Sequence, residues 1–103
     1  MSDTASQGAA DASIGALRRS LGIANKRGLH ARAAAKFVRT AGQFDSTIRV
    51  GFKGQEVSGL SIMGLMMLSA GIGSEIEIAC SGRQAIEAMA ALSALVESKF
   101  GED

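Results

Sequence analysis

Proline, tryptophan and tyrosine are absent from all 103 residues of this chain, and cysteine and histidine occur once each. Each absence excludes something. With only four phenylalanines as aromatics, the core has to be built from Ala, Leu, Ile, Val and Met. The same shortage argues against an aromatic platform on which nucleic-acid bases could stack. The single cysteine, Cys80, allows no internal disulfide and fits a reducing compartment. One histidine and one cysteine in different elements do not make a ligand set, so no metal and no cofactor is implied. No apolar run is long enough to span a membrane. A net charge of +1 gives no bulk attraction to nucleic acid.

What is present points to one small domain with a single core. Residues 1–16 are rich in Ser, Ala, Gly and Asp, lack the basic-then-apolar layout of a secretion signal, and are expected to be a disordered tail. Residues 17–103 are expected to form the domain. Charge is unevenly spread along it. Residues 12–44 carry seven bases and no acid, whereas residues 45–103 carry eight acids against four bases. The basic stretch is either a plain solvated face or a surface that steers an acidic partner, and the two readings are compatible.

Periodicity predicts the order β-α-β-β-α-β-α. Leu21 and Ile23 alternate inward in a strand over residues 17–24, and Ile48, Val50 and Phe52 do so in a second. Lys53-Gly54 reads as a hairpin turn into a third strand over residues 55–58. Ser61 caps a short helix, and Gly71 and Gly73 mark a loop before a fourth strand. There Ile76, Ile78 and Cys80 point inward, which makes Cys80 a core residue. Ser81 and Gln84 have the spacing of a capping box for a last helix with Ala85, Met89, Leu92 and Val96 as its buried stripe. Helices that cover one face of such a sheet imply an α+β, open-faced sandwich. Strand order is not fixed by these patterns, and a ferredoxin-like arrangement fits nearly as well.

The only histidine lies in Gly28-Leu29-His30-Ala31-Arg32-Ala33-Ala34, where a loop gives way to a helix. Ala34, Phe37, Val38 and Ala41 recur at helical spacing, and Asn25-Lys26-Arg27-Gly28 reads as a turn. The helix is expected to end near Gly42. His30 therefore falls at the helix N-terminus, among backbone N–H groups without intrahelical partners and at the positive end of the dipole. A phosphoryl group on this imidazole would meet the N–H groups of Ala31 and Arg32 and the Arg32 guanidinium.

Gly28-Leu29-His30-Ala31-Arg32 resembles the active-site signature of the histidine-containing phosphocarrier (HPr) family of the phosphoenolpyruvate-dependent phosphotransferase system. Ser61-Ile62-Met63-Gly64-Leu65-Met66 resembles that family's regulatory-serine region. The resemblance spans about residues 17–100, with Ala33 where many members have proline. It implies a four-stranded antiparallel sheet with the first and fourth strands adjacent and three helices on one face. It also implies a cytoplasmic, monomeric, stoichiometric carrier rather than a turnover enzyme. Phosphate is taken on Nδ1 of His30 from enzyme I and passed to an enzyme IIA histidine, with Arg32 assisting.

Ser61 has two readings: an N-cap, worth about 1 kcal/mol, and, by the resemblance, a target of the HPr kinase/phosphorylase whose phosphate would disturb docking. Ile62, Met63, Leu65 and Met66 are expected to supply a docking surface together with Arg32, since adaptable Met-rich surfaces suit several partners. The stretch from Asn25 to His30 and the Phe100-Gly101-Glu102-Asp103 end are similar to carriers of the nitrogen-related branch rather than of sugar transport. The Ser61 segment is more similar to kinase-controlled carriers, so the resemblance implies a regulatory role. The competing reading is a protein-binding module of the same fold that transfers no phosphate. A small-molecule-sensing or nucleic-acid-binding α+β module shares the topology.

Overall fold

A computed structural model describes residues 15–102. The expectation of a disordered tail falls almost wholly on residues outside that span. The chain runs β1 (Leu17–Gly22), α1 (Ala31–Ala41), β2 (Thr47–Phe52), β3 (Gln55–Ser58), α2 (Ile62–Met67), β4 (Glu75–Ser81) and α3 (Ala85–Glu97). A short 3-10 turn, Lys99–Gly101, follows. The four strands form one antiparallel sheet in the order β1-β4-β2-β3. The first and fourth strands are therefore neighbours, which periodicity alone had left open. Lys53 and Gly54, both at positive φ, make the two-residue turn between β2 and β3.

One face of the sheet is covered. Leu21 lies opposite Ile76, Val50 opposite Ile78 and Ile48 opposite Cys80, and all six are buried. Onto them pack Phe37 of α1, Leu65 of α2 and Leu92 and Val96 of α3, each fully buried. Burying one such aliphatic or aromatic side chain stabilises the fold by about 1.5–3 kcal/mol. The other face carries charged pairs, Arg18 with Glu77 and Arg49 with Glu56. These are exposed and contribute about 0–1 kcal/mol each.

One local expectation needs correction. Ser81 and Gln84 do not form a capping box. Ser81 is the last residue of β4, and Gln84, at the N-cap of α3, makes no side-chain cap bond. Its Oε1 instead accepts from the Asp45 N–H at 2.7 Å, so a long-range contact displaces the local one. The helix α1 does stop at Gly42, but with φ −70°, so the left-handed freedom of glycine is not used there.

Candidate functional site

Glycine conformation matters at Gly28. Its φ is +64°, and a Cβ there would lie 2.4 Å from the Ala70 carbonyl oxygen and 2.7 Å from Gly71 Cα. The close approach lets the Leu29 N–H donate to Ala70 O at 3.0 Å, while the Leu29 side chain is buried. The loop before α1 is thereby fixed to the segment after α2, and His30 is delivered in extended conformation (φ −74°, ψ 178°) as the N-cap of α1.

The imidazole performs the capping itself: Nδ1 accepts from the Arg32 N–H at 3.3 Å. A backbone amide can only donate, so Nδ1 presents its lone pair and the ring proton belongs on Nε2. That nitrogen lies 2.6 Å from Glu102 Oε2, the partner to which it donates. The N–H groups of Ala31 and Ala33 have no hydrogen-bond partner among the described residues. Nδ1 thus sits where the helix terminus offers donors and partial positive charge.

Glu102 is held from its other side. Asn25, fully buried, donates through Nδ2 to Glu102 Oε1 at 3.1 Å and to Gly28 O at 2.9 Å. The hydrogen bond from His30 is the main reason the Glu102 carboxyl titrates below the usual range, helped by the Asn25 bond and the charge of Lys36; partial burial opposes them. His30 and Glu102 side chains are 16% and 20% exposed, so the pair is shielded but reachable. Glu102 arrives by an unusual backbone: Lys99, Phe100 and Gly101 all have positive φ, at 59°, 56° and 73°. Phe100 is fully buried, and Lys36 donates through Nζ to its carbonyl at 2.6 Å.

Arg32 is exposed and lines a shallow cleft with Lys26, Arg27 and Glu102. Ala31 is exposed beside it. Ser61 caps α2, its Oγ accepting from the Gly64 N–H at 2.9 Å, and stays partly exposed. Of the expected docking residues, Ile62, Met63 and Met66 are exposed, Met63 at 68%. Leu65 is not among them: it is fully buried in the core, because it faces the sheet from α2. Met67, 70% exposed, extends the apolar surface instead. Asn25 and Glu102 were missed as site residues. The signal for Glu102 was a phenylalanine followed by glycine in an otherwise polar chain end, which marks a buried anchor.

Among the described residues there is no cluster of His, Cys, Asp and Glu able to hold a metal, and no helix is long and apolar enough to cross a membrane.

Comparison with known proteins completes the picture. A family model described as "PTS HPr component phosphorylation site" matches residues 17–98. The chain is 49% identical over 86 residues to the phosphocarrier protein HPr of Cupriavidus necator, covering 84% of this chain and 97% of that one. It is 42% identical over 86 residues to the phosphocarrier protein NPr of Shewanella violacea, covering 84% of this chain and 94% of that one. Its structure is similar to that of HPr from Thermoanaerobacter tengcongensis, with a TM-score of 0.81 and 44% identity over 84% of this chain and 98% of that one.

Proposed function

The chain belongs to the HPr family of phosphocarriers of the phosphotransferase system, and from that premise we propose that His30 carries the phosphoryl group. The observation behind this is the orientation of the ring: Nδ1 points at the N-terminus of α1 without a proton, its lone pair accepting only the long bond from the Arg32 N–H, while Nε2 is engaged by Glu102. In an in-line transfer Nδ1 attacks phosphorus, and the Ala31 and Arg32 N–H groups and the Arg32 guanidinium take up charge on the phosphoryl oxygens.

Enzyme I is the donor in this reading and an enzyme IIA histidine the acceptor. So open a surface cannot exclude water alone, so the partners complete the site and this protein acts as a stoichiometric, monomeric carrier in the cytoplasm. Ile62, Met63 and Met66, all exposed, offer apolar docking contacts, and Arg32 offers a cationic one beside Lys26 and Arg27. Phosphorylation of Ser61 by a serine kinase would replace its cap bond by about two negative charges beside that surface and weaken docking. The Asn25 to His30 stretch and the Ser61 segment carry the further reading of a regulatory branch.

Incubation with phosphoenolpyruvate and enzyme I, followed by intact-mass analysis, tests the reading. One acid-labile phosphoryl group on wild type, and none on His30→Ala, is the expected result. A folded wild type left unmodified by an enzyme I active on another carrier would overturn it and favour the non-transferring module.

A further inference from the structure

Behind His30 stands a chain of groups that the transfer just described does not use. Asn25 is fully buried, and its amide donates to both Glu102 Oε1 and Gly28 O while its own Oδ1 finds no partner. A buried unsatisfied oxygen is destabilising, so the residue's contribution lies in the two bonds its amide donates. One bond holds the loop before α1 through Gly28 O, and the other orients the Glu102 carboxylate. That carboxylate lines a cleft with three cations, Lys26, Arg27 and Arg32, yet makes no ion pair with any of them among the described residues. Lys36, the remaining nearby cation, is engaged by the Phe100 carbonyl. The negative charge is committed to the imidazole.

We propose that Asn25 and Glu102 are positioning residues that keep the His30 proton on Nε2, leave Nδ1 as the acceptor atom, and stabilise the cationic ring that forms on phosphorylation. The proposal rests on the reading of His30 as the phosphoryl acceptor. The lone pair of Nδ1 forms the N–P bond while the bond from phosphorus to the donor breaks, its electron pair leaving with the donor. The ring keeps the Nε2 proton and gains a positive charge, which Glu102 faces at hydrogen-bond distance. In onward transfer the N–P electron pair returns to Nδ1. The ring becomes neutral again, and no proton has moved. Asn25 holds the carboxylate in line through both steps, as the third member of a catalytic triad orients its base.

Two measurements test this. Ring ¹⁵N shifts of the unphosphorylated wild type should show the proton on Nε2. In Glu102→Gln, which keeps the shape but removes the charge, phosphorylation by enzyme I should slow by about tenfold. The pH profile of phosphohistidine hydrolysis should shift to lower pH, because the charged ring loses its counter-ion; a purely structural role for Glu102 would leave that profile in place. Asn25→Ala should move both quantities in the same direction by less. A wild-type ring proton on Nδ1, or a Glu102→Gln variant matching wild type in rate and pH profile, would overturn the relay. Failure of wild type itself to accept phosphate would instead overturn the underlying reading of His30.

Discussion

At the scale of single residues, His30 is defined by two neighbours of opposite character: a backbone donor on Nδ1 and a carboxylate on Nε2. The first was legible in the sequence, because a loop ending in glycine followed by a helical pattern places His30 at a helix start. The second was not, because Glu102 lies 72 positions along the chain and only the fold brings it near. Linkage gives the pair a pH signature. The folded-state pKa of Glu102 is depressed, so its contribution to stability is present above the ordinary carboxylate range and is lost as pH falls through the lowered value. Denaturant titrations of wild type and Glu102→Gln should therefore differ near neutral pH and converge in acid. Equal curves throughout would show that the bond contributes nothing. Ser61 offers a simpler case: Ser61→Ala removes the acceptor for the Gly64 N–H and should lower stability by about 1 kcal/mol, read from the same titrations.

At the scale of elements, periodicity worked where one face of an element is buried and failed where a long-range contact decides. β2, β4 and α1 follow their periods because burial enforces them, whereas β1 ends at Gly22, before the expected Ile23, and β3 buries no residue fully. The supposed capping box at Ser81 and Gln84 fails because Gln84 is recruited by Asp45. Leu65 was placed on the docking surface because a six-residue helix shows too little of its period to tell its two faces apart. The turn of residues 99–101 is the least regular element and holds Glu102 in place. Left-handed backbone costs about 1–2 kcal/mol at each non-glycine residue, and burial of Phe100 offsets it. Phe100→Ala should destabilise by about 3–5 kcal/mol in denaturant titrations and also release Glu102, so that the Nε2 proton signal exchanges faster with water. Gly28→Ala combines a positive φ with a backbone clash at 2.4 Å. It should cost more than about 1 kcal/mol and displace the His30 ring resonances, whereas a silent substitution would mean that the loop is not held against Ala70.

At the scale of the whole molecule, the sheet and helices serve to bring three sequence-distant pieces together: the loop before α1, the segment after α2, and residues 99–102. The basic stretch from residue 12 to residue 44 supplies Lys26, Arg27 and Arg32 to that site, consistent with attraction of an anionic partner and its phosphate. Strand order and the assembly of this site needed the fold, since no local pattern encodes which strands meet. The most direct test is nitrogen–phosphorus coupling in the ¹⁵N-labelled protein after phosphorylation by enzyme I. Coupling to Nδ1 of His30, with the proton retained on Nε2, is the predicted result. Coupling to Nε2, or a phosphoryl group on any other residue, would contradict it.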